Sequence, residues 1–349
     1  MTKMQYRKLG RTGLKVSAIS LGSWLTYGGH VADDSNVRTL KAAFDAGINF
    51  FDTAEGYEAG KAETLLGQAI KDFGWKRQDL VVSTKIFFGA GDTTPNAVFT
   101  LSRKHVVEGL LASLKRLQLD YVDIVYAHRH DAETPMEEIV RAFNHVIDRG
   151  LAFYWGTSEW SAERIAEANL IAQQLGLVGP VVEQPKYNLL WRHRVEAEYA
   201  RLYERWGLGI TNFSPLDMGI LTGKYNDGIP AGSRFADSKD KFVKAAASKF
   251  GSGEVAEKIE KVKALTAVAA SIGATMAQFS LAWCLANPHV SSLIIGASRP
   301  EQIEENVKAL EFVDKITEDV RRQVDAIVPV GVLGRYAHDT QGLPQLFRN

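Results

Sequence analysis

The sequence predicts a single α/β domain, a (β/α)8 TIM barrel with an N-terminal β-hairpin and extra helices. Short apolar runs alternate with amphipathic stretches of helical spacing, and this alternation occurs eight times along the chain. No Pro-, Gly- or Ser-rich linker separates one half of the 349 residues from the other. Length alone, at about 150 residues per domain, would suggest two domains. Eight consecutive units without a boundary favour one closed barrel over two open sheets.

The elements follow in order. Residues 6–16 hold two short extended runs around Gly10-Arg11-Thr12-Gly13 and read as a hairpin. Ala18-Ile19-Ser20-Leu21 is the first barrel strand, with a helix at 35–46 capped by Asp33 or Asp34. Strands at 48–52, 80–84, 121–126 and 152–156 alternate with helices at 62–71, 103–117, 136–149 and 162–175. Within 103–117, Val106, Val107, Leu110, Leu111, Leu114 and Leu117 recur at the spacing of one helical face. Strands at 181–184 and 209–213 flank a helix at 196–206. A long connection then reaches 253, followed by helices at 254–272 and 276–287, a strand at 291–295 and a helix at 300–310. The barrel therefore occupies about 17–328, and the segment 329–349, without periodicity, reads as a loop or tail.

Composition bounds the class. Lys+Arg and Asp+Glu number 41 each, so the net charge is zero, and 46% of residues are hydrophobic. Such a balance excludes disorder and argues against a nucleic-acid partner, which needs a cationic surface to displace counterions. The single cysteine, Cys284, forms no intrachain disulfide, and no apolar run approaches the roughly 18–20 residues of a membrane span, so no direct membrane insertion is expected. The polar start Met1-Thr2-Lys3-Met4-Gln5-Tyr6-Arg7 lacks a signal peptide's apolar core, and a cytoplasmic location is expected.

Chemistry in such a barrel belongs at the carboxyl ends of the strands. Those ends carry Asp52 and Tyr57, then Lys85, then His128; further round come Ser158, Gln184, Ser214, Gly296 and Ser298. A phenol with an unperturbed pKa near ~10 gives up its proton more readily beside an ammonium. A carboxylate keeps that ammonium charged and in place, and an imidazole can orient a substrate oxygen. Each residue alone has a plainer explanation as a loop cap, ion pair or packing group; their fall on three consecutive strand ends sets them apart. His128, His130 and Asp131 are too few to suggest a metal, and none is expected. A glycosidase-type pair of Asp52 with Glu159 or Glu183 would leave Tyr57 and Lys85 unexplained.

No Gly-x-Gly-x-x-Gly follows a strand. The run Ile295-Gly296-Ala297-Ser298-Arg299-Pro300 offers an anion another seat, at the start of the last helix, with Arg299, Arg234 and Lys224 able to add charge.

Several segments together resemble the aldo-keto reductase superfamily over about residues 6–328. They are Gly10-Arg11-Thr12-Gly13-Leu14-Lys15-Val16-Ser17, Phe51-Asp52-Thr53-Ala54-Glu55-Gly56-Tyr57, Ser83-Thr84-Lys85, Gly156-Thr157-Ser158 and Leu221-Thr222-Gly223-Lys224-Tyr225. Leu101-Ser102-Arg103-Lys104-His105 and Thr134-Pro135-Met136-Glu137-Glu138 narrow the resemblance. They point to the branch holding the voltage-gated potassium-channel β subunits and related microbial and plant reductases.

The resemblance implies NADP(H)-dependent reduction of an aldehyde or ketone. It makes Tyr57 the proton donor, Lys85 the group that assists it, Asp52 the partner of Lys85, and His128 the group orienting the carbonyl. Ser158, Gln184, Ser214, Pro215, Leu216, Gly219 and Lys224 would line the cofactor channel, with Trp24, Asp52, Phe213 and Gly296 also in contact. Arg234, Ser298 and Gln302 would hold the adenosine 2′-phosphate, with Glu305 and Asn306 toward the adenine. Loop position suggests a substrate mouth of Trp24, Tyr57, Phe87, Phe88, His128, Trp160, Tyr187 and Trp191. The resemblance also raises an alternative, a nucleotide-binding redox sensor on a channel. His128 stands where the channel subunits carry Asn, which favours a working reductase. Glu159 replaces a basic residue, and Phe213 replaces a Trp against the nicotinamide. The branch includes tetramers, so a homo-oligomer, dimer or tetramer, is compatible with the sequence.

Overall fold

A computed structural model of the chain describes residues 2–24, 33–237 and 241–330. Two short strands, β1 (Tyr6–Lys8) and β2 (Lys15–Ser17), pair antiparallel as the opening hairpin. The barrel is built from β3 (Ile19–Gly22), β4 (Phe50–Asp52), β5 (Val81–Ile86), β6 (Val122–Ala127), β7 (Ala152–Ser158), β8 (Val182–Gln184), β9 (Gly209–Asn212) and β10 (Val290–Ile295). These eight close in chain order, all parallel, with β10 returning against β3. Every residue of β3, β5, β6 and β10 is buried, as befits strands covered by side chains inside the barrel and helices outside.

The crossovers are α1 (Asp33–Asp45), α2 (Lys61–Asp72), α3 (Arg103–Leu117), α4 (Met136–Asp148), α5 (Ala162–Gln174) and α6 (Ala200–Trp206). Ser102 and Ser161 cap α3 and α5, each accepting from the backbone N–H three residues on. The helix α1 takes in Asp33 and Asp34 themselves, so its cap lies outside the described residues. The expected helix at 196–206 is shorter than its pattern suggests: Arg194–Glu198 forms a wide π turn before α6 begins.

The long connection after β9 contains two short helices, α7 (Arg234–Asp237) and α8 (Lys241–Ala247). Then come α9 (Gly253–Ser271), α10 (Met276–Leu285), α11 (Pro300–Val307) and α12 (Glu318–Ile327). The last of these went unread in the sequence. It is a mostly polar helix whose only buried residues are Val320 and Val324, too narrow a stripe to announce itself. Most of the expected tail, 331–349, lies outside the described residues. Among the described residues no single helix is long and apolar enough to cross a membrane.

The hairpin closes the N-terminal end of the barrel. Its Leu9 and Val16 join the interior cluster of Phe50, Val81, Ile124, Tyr126, Val181 and Val182. Gly10 has φ +52°, and a Cβ there would lie 2.6 Å from the Gly209 nitrogen and 2.7 Å from the Gly207 oxygen. Only glycine lets that turn press against the start of β9. With this end plugged, open access is left to the opposite rim, where the strands end.

Candidate active site

Parallel register brings the strand-end residues together. Asp52 at the end of β4 is level with Ser83, and Lys85 on β5 is level with Tyr126 on β6, two residues before His128. The Lys85 side chain is fully buried, and its ammonium donates three hydrogen bonds: to Asp52 Oδ2 at 2.6 Å, Thr53 O at 2.8 Å and Tyr57 Oη at 3.1 Å. An ammonium has three protons, so its capacity is used. The other Asp52 oxygen accepts from Ser83 Oγ at 2.6 Å and Gln184 Nε2 at 3.1 Å.

The direction of the Lys85–Tyr57 bond decides what Tyr57 can do. Because its oxygen accepts from an ammonium, its own proton is left to donate elsewhere. Burial pushes the Tyr57 hydroxyl above its ordinary value, with Lys85 opposing that push and Asp52 adding to it. Tyr57 is therefore protonated at neutral pH, which a proton donor requires. Burial by itself would lower the Lys85 ammonium, but Asp52 and Tyr57 outweigh it and hold Lys85 above the usual lysine value. Burial, then Arg129 and Lys85, drives His128 well below its ordinary value, so its imidazole is neutral. The Tyr57 and His128 rings meet edge to face at 5.7 Å, and His128 Nδ1 is buried without a hydrogen-bond partner among the described residues.

Tyr57 sits on a tight turn, Tyr57–Gly60, in which Glu58, Ala59 and Gly60 all have positive φ. A Cβ on Gly60 would lie 2.6 Å from Arg116 Cδ. Arg116 in turn donates to Glu63 at 2.6 Å, and Glu63 accepts from Thr84, the neighbour of Lys85, at 2.5 Å. The turn is thus tied back to β5.

Sequence reasoning missed Glu55. Its buried Oε1 accepts from the backbone N–H groups of Phe87 at 2.7 Å and Gly89 at 2.9 Å, and lies 3.1 Å from His105 Nε2. The loop it holds carries Phe88, whose ring meets His128 edge-on at 4.8 Å. The available signal was a second acid, three residues after Asp52 and two before Tyr57.

The residues expected to hold a cofactor lie along the same rim from β7 to α11. Ser158 Oγ donates to Gln184 O at 2.9 Å and accepts from Arg129 at 3.2 Å. Phe213 and Leu216 are half-buried beside a buried Pro215. Ser214, Asp217, Met218 and Gly219 all have positive φ, an unusual density of strained backbone. Asp217 anchors that loop, with Lys186 at 2.6 Å and Lys258 at 3.6 Å. Burial would raise its carboxyl, but the two lysines hold it below the ordinary value.

Further on, Gln302 Oε1 accepts from Ser298 N at 2.8 Å and Oγ at 3.2 Å, making those two a single unit. The cap of α11 is Arg299, with Pro300 as first helical residue and no side-chain capping bond. Gly296 and Glu305 are exposed, while Asn306 is buried. Burial, then Arg234 and Arg299, lowers the Lys224 ammonium, and none of these three cations has an acidic partner among the described residues. Three cations without an acidic partner among the described residues, beside a helix start with no side-chain cap, fit the phosphates of a dinucleotide.

The expected aromatic mouth is only partly assembled. Trp24 is 37% exposed, Phe88 and Trp191 are half-buried, and the Lys186 ammonium lies 5.2 Å from the Trp191 ring centre. Phe87, Trp160 and Tyr187 are buried in the packing between barrel and helices, where Tyr187 donates to Glu196 at 2.8 Å. Large apolar rings on these loops gain more by joining the core than by facing water.

The two acids of the glycosidase alternative have other partners. Glu159 accepts from Lys186 N at 2.6 Å and pairs with Arg194 at 3.3 Å. Glu183 accepts from the Thr157 hydroxyl and from Trp160 N. Burial pushes the Glu183 carboxyl up to about 8. A folded-state pKa raised above the ordinary 4.5 means the native state holds a proton that the unfolded chain releases. That stability is fully present below the unfolded value and is lost as pH rises through about 8. Melting temperature is expected to fall between about pH 5 and pH 8, and Glu183→Gln should flatten the fall. An equal slope in the variant would contradict this assignment.

A closed parallel barrel with these groups at its mouth defines a class, and the chain belongs to the aldo/keto reductase family, a family of oxidoreductases whose model matches residues 18–329. Within it the sequence is similar to proteins named for potassium channels. One, from Oryza sativa subsp. japonica, is called a probable voltage-gated potassium channel subunit beta. It is 51% identical over 326 residues, which cover 93% of this chain and 97% of that protein. A putative voltage-gated potassium channel subunit beta of Schizosaccharomyces pombe is 52% identical over 324 residues, covering 93% of each chain. A probable subunit beta of Arabidopsis thaliana is 49% identical over 326 residues, covering 93% of this chain and 97% of the relative.

Proposed function

We propose that this protein is an NADPH-dependent reductase of aldehydes and ketones, built as one barrel domain. The observation that carries the reading is the use of all three Lys85 protons, one of them on Tyr57, which leaves the tyrosine proton to be given away. When bound, NADPH would supply a hydride to the carbonyl carbon. Tyr57 then donates its proton to the carbonyl oxygen, and Lys85 stabilises the phenolate left behind. Asp52 holds Lys85 charged. Neutral His128 orients the carbonyl oxygen by hydrogen bonding. Lys224, Arg234 and Arg299 favour the cofactor with the additional 2′-phosphate, and the loop from Ser214 to Gly219, anchored through Asp217, would lie along it. Trp24, Phe88 and Trp191 supply apolar surface for the substrate.

The names of the relatives favour a second reading, a channel-associated subunit; in that reading the nucleotide would be held and turned over slowly. One experiment separates the two: a screen of small aldehydes and ketones that follows NADPH and NADH oxidation in parallel. The reductase reading expects multiple turnovers with NADPH and a KM for NADH at least about tenfold higher, the loss of one phosphate contact of about 1.4 kcal/mol. A single turnover followed by a stable complex would favour the channel subunit. Equal use of both cofactors would remove the phosphate role of the cation cluster.

A further inference from the structure

At the end of the barrel opposite Tyr57 and Lys85 lies a cleft of about 620 Å³, within the range of small-molecule sites. It opens between the hairpin, the start of β10 and the segment leading into α12. Three cations line it, Arg7, Lys8 and Arg321, against one carboxylate, Asp314. None of the three cations forms an ion pair among the described residues.

The two guanidinium groups are held from behind. Arg7 Nη1 donates to Val290 O at 2.8 Å, and Arg321 Nη2 donates to Ala286 O at 3.0 Å. Arg321 also lies 5.3 Å from the Trp283 ring centre. A guanidinium carries five N–H donors, so one backbone bond fixes its orientation and leaves most donors for a ligand. Burial lowers Arg7 below its ordinary value, and no acid among the described residues, Asp314 included, pairs with it to offset the desolvation. A half-buried cation without a counter-charge is costly unless an anion completes it. Ala286, Pro288 and Val313, each with exposed surface, add an apolar wall.

We propose that this cleft binds a small organic oxyanion, its phosphate or carboxylate held by Arg7, Lys8 and Arg321 and its apolar part against Ala286, Pro288 and Val313. The cleft shares no residue with the cation cluster around Arg234, so the proposal stands apart from the reductase reading.

The test is calorimetric titration of the full chain with phenyl phosphate, benzoate and benzyl alcohol. Saturable binding of either anion, without binding of the neutral alcohol, is expected. Tighter phenyl phosphate would identify a phosphate ligand, and tighter benzoate a carboxylate. Lys8→Glu reverses an exposed charge on β1 and should weaken binding at least about tenfold, about 1.4 kcal/mol, as should Arg321→Gln. Arg234→Gln should leave it unchanged. No saturable binding, equal binding of the alcohol, or loss in Arg234→Gln with retention in Lys8→Glu would overturn the proposal.

Discussion

Tyr57→Phe is expected to lower kcat for carbonyl reduction by about 10²–10⁴-fold, the range for losing a positioned general acid. NADPH affinity should change little. The substitution removes one oxygen, whose hydrogen-bond partner in the structure is Lys85 at 3.1 Å. The ring, its turn and its edge-on contact with His128 at 5.7 Å can all remain. Lys85 keeps Asp52 and Thr53 O as acceptors, so no buried charge is stranded. Stopped-flow turnover and cofactor fluorescence titration would measure the two quantities separately. Wild-type turnover in the variant would remove Tyr57 as the donor.

Lys85→Met should act on stability and activity together. It leaves the Asp52 carboxylate buried with only Ser83 and Gln184 as side-chain donors, and removing one member of a buried pair costs about 3–5 kcal/mol. Activity should fall severely, since Lys85 is the main group opposing the upward push of burial on the Tyr57 hydroxyl, and Arg129 alone would remain against it. Adding Asp52→Asn removes the stranded charge. The double variant should regain much of the stability, as neighbouring residues are not additive, while activity stays low. Recovery of turnover along with stability would show that Lys85 serves the fold alone.

The opening hairpin, the eight strands and the caps Ser102 and Ser161 were legible because each follows from local chemistry: alternation, helical spacing and a hydroxyl before an apolar face. The failures have a common cause. The helix α12 buries only Val320 and Val324, and α7 and α8 are short, so none of the three offers a long apolar period. Trp160 and Tyr187 were assigned to the mouth by their loops, yet whether an aromatic ring faces solvent or core depends on which helix passes behind it. Glu55 was passed over because its partners, Phe87, Gly89 and His105, lie 32 or more residues away.

The sequence alone determined the barrel and the identity of the groups at its strand ends, since strand period and residue type are written along the chain. Only the tertiary structure decided what those groups are to one another. Proton direction between Lys85 and Tyr57, neutrality of His128, and the gathering of Lys224, Arg234 and Arg299 depend on distance and burial. Both are set by strands and loops remote in sequence closing around the same space. The zero net charge of the whole chain gave no sign that positive charge would collect at both ends of the barrel.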